Sequence, residues 1–138
     1  MSLTAEERRD VITYRLEKAQ ATLKQIESNL PLCYWELIAN RLYYAAYYAV
    51  SALLIAYGYR VKSHEGKVLQ FGLHFAKEGI VPPEMGKFYN RLLEVRLTGD
   101  YSDSYHLTEE DVMPLIKPTE QLIEKVSELA RERLQEPT

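Results

Sequence analysis

Ile12, Leu16, Ala19, Leu23, Ile26 and Leu30 recur at alternating spacings of four and three, which places them on one stripe of an α-helix. Thr4 followed by Glu7 supplies the two side chains of a capping box ahead of that stripe. The pattern predicts a long amphipathic first helix that stops near Asn29 and Pro31. A second helix is predicted from about Cys33 to Tyr57, closed by Gly58, where glycine can adopt the left-handed conformation. It carries two apolar stripes, Tyr43, Tyr47, Val50, Leu54 and Tyr57 on one and Leu42, Ala46, Ala49, Leu53 and Ala56 on the other. Two stripes require neighbours on two sides, so this helix is expected at the centre of the fold with its tyrosines mostly in the core.

Ser63 can cap a third helix with Val68, Phe71, Gly72 and Phe75 on one side, ending at Gly79. Pro82 and Pro83 suit the first turn of a fourth helix, whose inward face is read as Met85, Phe88, Leu92 and Val95, with Gly99 as its stop. Thr108 before Glu109, Glu110 and Asp111 starts a fifth segment, and Leu115, Ile116, Leu122, Ile123, Val126, Leu129 and Ala130 continue its helical period. Pro114 and Pro118 interrupt it. Each removes a backbone hydrogen bond, so a kink or a later helix start near Pro118 is expected. No segment alternates apolar and polar residues long enough for a strand. The predicted fold is all-α, an antiparallel up-and-down bundle of four main helices plus a short one, forming a single domain over residues 1–138.

Composition narrows the functional classes. The chain is 46% hydrophobic and 27% charged with a formal net charge of −3, so it offers no molecule-wide basic field for nucleic acid, and any RNA contact must be local. The single cysteine, Cys33, excludes an internal disulfide and suits a reducing, cytoplasmic setting. The polar start MSLTAEERRD lacks the apolar centre of a signal peptide. Leu42 to Tyr59 is uncharged, yet its six tyrosines, serine and glycine favour a buried helix over a bilayer span, and no membrane partner is expected.

Catalytic motifs are sparse. There is no glycine-rich phosphate loop, no Gly-x-Ser-x-Gly elbow and no His-Glu-x-x-His. His64, His74 and His106 could supply three ligands in a metal-binding bundle, one alternative reading, but ten residues between the first two put them about 80° apart on one helix. No metal and no cofactor are expected. Cys33 is read as packing at a helix start rather than as a nucleophile. The informative stretch is VRLTGDYSDSY, residues 95–105, where Arg96 and Asp100 are four apart and can pair on one helix. Arg96 falls between a packed face and a hydroxyl-rich loop, a position suited to phosphate. Arg41 is a second cation on the aromatic helix, with Tyr44 and Tyr48 on its own face. Together they outline a site in which tyrosines stack on bases and arginines hold phosphate.

The runs NRLYYAAYYAVSALL at 40–54, SHEG at 63–66 and RLTGDY at 96–101, in that order, resemble the HEPN domains, nearest the short prokaryotic single-domain branch. The resemblance runs from about Ala5 to Leu134. It implies a helical bundle that assembles as a homodimer. It also implies a two-component, toxin-antitoxin-like module with a minimal nucleotidyltransferase, in which the HEPN protein binds a nucleotide, RNA or its partner. RNase members carry a polar residue next to an Arg and a His four to six residues after it. Here Leu97 follows Arg96, Asp100 and Tyr101 stand in place of the histidine, and His106 comes ten residues after Arg96. The expected groove is marked by Arg96, Asp100 and Tyr101, also the candidates for any catalysis, with Arg41, Tyr44 and His64 as further binding residues. The enzymatic alternative is a metal-independent RNase, which needs a base and an acid near neutral pH.

Overall fold

The computed structural model describes residues 3–135 and contains five α-helices, with no strand among the described residues. They are α1 (Ala5–Asn29), α2 (Trp35–Ala56), α3 (His64–Phe71), α4 (Pro83–Tyr101) and α5 (Glu109–Gln135). The capping box forms as the sequence predicts. Glu7 N donates to Thr4 Oγ1 and Thr4 N donates to Glu7 Oε1, both at 3.0 Å. A short 3₁₀ turn, Leu30–Leu32, then separates α1 from α2. Cys33 follows it at a φ of 59°, exposed. That left-handed residue delays α2 to Trp35 and puts the cysteine in a turn rather than in the packed helix start the sequence suggests.

Helix α2 is the axis of the bundle. It packs most extensively against α1, then α5, then α4. Arg9 Nη2 donates to the Leu134 carbonyl at 2.9 Å, and the Arg133 guanidinium lies 4.6 Å from the Tyr57 ring centroid. The start of α1 and the ends of α2 and α5 therefore meet at one end. At the other end, Leu107 N donates to Glu36 Oε1 at 3.1 Å, tying the α4–α5 loop to the first turn of α2. α1 and α4 run antiparallel to α2 and α5 runs parallel to it, the up-and-down order that short connections favour. The alanine stripe is consumed entirely: Leu42, Ala46, Ala49 and Leu53 are fully buried, and small side chains let the neighbouring backbones come close.

The tyrosine stripe behaves differently from the expectation of a mostly buried row. Tyr43 has no exposed surface, whereas Tyr44, Tyr47, Tyr48 and Tyr57 are half-buried. Helix α4 also turns another face inward, with Tyr89, Leu92 and Leu93 buried and Met85, Phe88 and Val95 at the margin. Tyr89 stacks on Tyr43 with centroids 6.1 Å apart and planes 9° apart. Leu92 faces inward in both readings, and the stack on Tyr43 brings Tyr89 and Leu93 in beside it, a shift of less than the ~100° of one residue position.

Three further boundaries depart from the sequence pattern. Ser63 caps α3 through Gly66 N at 2.9 Å, but after Phe71 the chain enters a five-residue π-turn, Gly72–Ala76, before Gly79 at a φ of 77°. Helix α4 runs through Gly99. A Cβ on that glycine would lie 2.8 Å from Leu107 Cδ1 and 3.6 Å from Glu36 Cα, so the residue serves close helix approach rather than termination. Helix α5 is continuous across both prolines. Pro114 and Pro118 leave the carbonyls of Glu110 and Pro114 without intrahelical donors, and both of those residues are exposed. Val112, Leu115, Leu122, Ile123 and Val126 stay buried on the opposite side. Packing along that face outweighs the local defect.

Replacing Gly99 by valine is therefore expected to destabilise the protein by about 1–3 kcal/mol through overpacking against Leu107 and the start of α2. Urea unfolding monitored by circular dichroism measures it. An unchanged midpoint would show that the α2–α4 approach is looser than the Cβ geometry requires.

Candidate functional site

The end of α4 crosses the first turns of α2, and this crossing assembles the residues that the sequence singles out. Arg96 Nε donates to Asp100 Oδ2 at 3.0 Å, one turn along α4, as the spacing predicts. Asn40 Nδ2, from α2, donates to the same Asp100 oxygen at 3.1 Å. The other end of the Asn40 amide accepts from Arg41, Nε at 3.1 Å and Nη2 at 2.8 Å. An unbroken polar chain, Arg41 to Asn40 to Asp100 to Arg96, thus links the two cations across the helix crossing. One carboxylate serves two guanidinium groups, directly for Arg96 and through a neutral amide for Arg41. The two Arg96 Nη groups meet no acceptor among the described residues.

Aromatic rings hold these cations in place. The guanidinium carbons of Arg41 and Arg96 both lie 5.3 Å from the Tyr44 ring centroid. Arg96 is also 5.6 Å from Tyr43 and 5.8 Å from Tyr101. Guanidinium over an aromatic face is attractive and restricts a long side chain. Tyr101 is 69% exposed, so its ring borders the groove and still faces solvent. Tyr48, which the sequence places with Arg41, is engaged elsewhere, 4.8 Å from Lys18 Nζ of α1.

His64 joins from the first residue of α3. Its Nδ1 shares a 2.6 Å hydrogen bond with the Tyr43 hydroxyl, its ring stacks on Tyr47 at 4.8 Å and meets Tyr44 edge-on at 5.9 Å. Nε2 has no partner among the described residues. Burial lowers the His64 pKa below its usual 6.5, and the positive charges of Arg96 and Lys67 lower it further, against a smaller opposing effect of Glu65. Burial also pushes the Tyr43 hydroxyl well above its ordinary range, which keeps it protonated beside His64.

Structure thus brings together Arg41, Tyr44, His64, Arg96, Asp100 and Tyr101, and gives definite roles to two more residues, Asn40 at the edge beside Arg41 and Tyr43 behind it. Asn40 bridges the arginine systems, and Tyr43 orients His64. A signal for Asn40 was present, a polar side chain at the head of an uncharged helix. None was available for Tyr43, because its partner lies 21 positions away. The other histidines take no part. His106 is 88% exposed near Glu36, at 3.5 Å, and His74 stacks on Tyr59 at 4.1 Å. Among the described residues no group of three or more His, Cys, Asp or Glu could hold a metal ion, and no helix is long and apolar enough to cross a membrane.

The bundle and its arginine-tyrosine-histidine groove define an all-helical class with a cationic, aromatic site at a helix crossing. Comparison with known proteins gives that class a family. The HEPN domain family matches residues 12–129. A UPF0332 protein of Thermotoga maritima is 37% identical over 123 residues, covering 89% of this chain and 93% of that protein. A Methanocaldococcus jannaschii protein named "Putative toxin MJ0605" is 28% identical over 126 residues, covering 86% of this chain and 92% of that protein. A second protein of the same organism, named "Putative toxin MJ0142", is 27% identical over 101 residues, covering 73% of this chain and 69% of that protein. The chain belongs to the HEPN domain family.

The environment of His64 makes a prediction with a defined sign. A histidine whose folded pKa lies below its unfolded value takes up its proton more readily when unfolded. Its contribution to stability is present above about 6.5 and is lost as pH falls from there through the folded pKa. NMR titration should place His64 below 6.5, and Arg96→Ala should raise it without restoring the full value, since burial remains the larger cause. His64→Gln should flatten the loss of stability on acidification. A folded pKa at or above the usual value would contradict this electrostatic account.

Proposed function

We propose that this HEPN protein is a toxin-like component that binds phosphate-bearing ligands, RNA or a nucleotide, across the groove between α2 and α4. Arg96 is its anchor, with Arg41 as a second cation, Tyr44 and Tyr101 as stacking surfaces and Asp100 as the carboxylate that fixes both arginines. The observation that carries this reading is the pair of guanidinium groups drawn to one tyrosine ring and joined through Asn40 and Asp100, with Arg96 donors left over for an anion. Two relatives bear names that include the word toxin. In this reading the protein is cytoplasmic, folds as a single domain, forms a homodimer and acts with a minimal nucleotidyltransferase, as its resemblance to the two-component HEPN branch implies. The exposed Leu97 and Tyr101 beside the groove suit a second protein surface there.

Arg96→Ala is expected to weaken binding of a single-stranded RNA oligonucleotide, of ATP or of the co-expressed transferase by about tenfold or more. Removing a partly exposed ion pair should cost at most about 1 kcal/mol of stability. Fluorescence anisotropy, co-purification and thermal unfolding on the same samples measure both. Loss of stability with all three binding activities intact would make Arg96 a structural residue.

A second reading, metal-independent RNA cleavage, is favoured by one specific placement: His64 stands beside Arg96 although it is far from it in sequence. In the tautomer in which Nδ1–H donates to the Tyr43 oxygen, Nε2 can accept the ribose 2′-hydroxyl proton. The 2′-oxygen then bonds to phosphorus, Arg96 neutralises the added negative charge, and the bond to the 5′-oxygen breaks as that oxygen takes a proton from solvent. A histidine of lowered pKa is already neutral at pH 7 and so available as a base. This reading predicts cleavage in the presence of chelator, lost in His64→Gln and in Arg96→Ala. Absence of cleavage by wild-type protein in chelator would remove it and leave the binding role.

A further inference from the structure

We propose that this chain has a second anion site, a cleft for a small organic polyphosphate, built by the first turns of α1, the later turns of α2, the α2–α3 linker and the first turn of α3. The cleft measures about 750 Å³, within the range of small-molecule sites. Five cations line it, Arg8, Arg15, Arg60, Lys62 and Lys67, and no carboxylate does. In a chain of net charge −3 such a one-signed cluster is a local exception. None of the five forms an ion pair among the described residues.

Two buried polar groups of the lining point the same way. Lys67 is 5% exposed, and its ammonium group donates to the neutral Tyr47 hydroxyl at 2.8 Å while lying 4.1 Å from the Tyr47 ring centroid. A buried ammonium normally has an anion beside it, because desolvation without a counter-charge is costly. Ser51 is 1% exposed and its hydroxyl has no hydrogen-bond partner among the described residues. A phosphate oxygen in the cleft would supply both needs at once.

The charge and shape also define the ligand class. Five cations exceed what one phosphate neutralises and suit a diphosphate or longer chain. Leu54, Ile55 and Val61 add an apolar wall, so the phosphates should be joined to an apolar or aromatic body. A cleft of this volume holds one small molecule, whereas a nucleic-acid strand follows an extended stacking groove. The site is distinct from the Arg96 groove. Tyr47 and Lys67 form the partition, since the Tyr47 ring stacks on His64 of that groove and its hydroxyl faces Lys67 of the cleft.

Isothermal titration calorimetry on the whole protein tests this with pyrophosphate, ADP, geranyl pyrophosphate, adenosine and a single-stranded RNA oligonucleotide. Pyrophosphate should bind, ADP or geranyl pyrophosphate should bind more tightly according to which apolar body fits the wall, and adenosine should bind at least about tenfold more weakly than ADP. The double variant Arg15→Gln with Arg60→Gln should weaken binding by about tenfold or more, as should Lys67→Met, while Arg96→Ala should leave it unchanged. The double variant retains every fully buried side chain, so it reports on binding even where Lys67→Met fails to fold. No binding of any diphosphate, binding indifferent to the double variant, or binding lost instead with Arg96→Ala would overturn the site. RNA binding more tightly than either diphosphate and sensitive to the same double variant would overturn the small-molecule assignment.

Discussion

Both sites depend on α2 being enclosed by three helices while carrying almost no charge of its own. From Leu42 onward it can offer the bundle only apolar surface, tyrosine hydroxyls and the hydroxyl of Ser51, so its charged chemistry is forced to its ends. At the first end Asn40 and Arg41 emerge beside α4. At the far end the helix stops at Gly58, with a φ of 85°, and the chain turns into the basic linker with Arg60 and Lys62. Two cationic sites at opposite stretches of one neutral helix follow from this arrangement. Apart from Lys67, the cations of the two clusters stay out of the buried core, and each cluster has a rigid apolar element as its floor.

The tyrosines of α2 give the interior its functional character. A leucine at each of these positions would seal the core equally well but would remove the hydroxyl partners of His64 and Lys67 and the rings of Tyr43 and Tyr44 beside Arg96. Tyr43 donates or accepts toward His64, Tyr47 solvates Lys67, and Tyr44 spaces the two arginines. Each ring contributes apolar area to the bundle with one edge and a polar or π contact to a site with the other. Tyr89 of α4 is the exception, since its hydroxyl is buried without a hydrogen-bond partner among the described residues and its ring serves the stack under Tyr43.

The helical class, the first capping box and the Arg96–Asp100 pair could be read from the sequence because each is local: a period, a box of four residues, a spacing of four. The errors have a common physical origin in contacts between helices. The inward face of α4 differs from the one the spacing predicts because stacking on Tyr43 favours Tyr89 over the aliphatic positions. Gly99 resembles a helix stop and is instead a point of close approach to Glu36. The prolines of α5 looked like a break, yet the carbonyls they orphan belong to exposed residues and can be hydrated, while the buried face loses nothing. In the groove, Arg96, Asp100 and Arg41 were visible as charges near helix ends. Their connection through Asn40, and the arrival of His64 from α3, depend on a crossing that no local pattern encodes.

The amide of Asn40 has a direction, and that direction is a constraint on what the position can hold. Its oxygen faces a cation system and its nitrogen faces an anion, so reversing it would set like against like at both ends. Aspartate would keep the first contact and oppose the carboxylate at the second; leucine of similar size would keep neither. One uncharged group, polar in opposite senses at its two tips, therefore works as a spacer of fixed length between two cations that would otherwise drift apart. Spontaneous deamidation at this single residue would convert a spacer into a wedge.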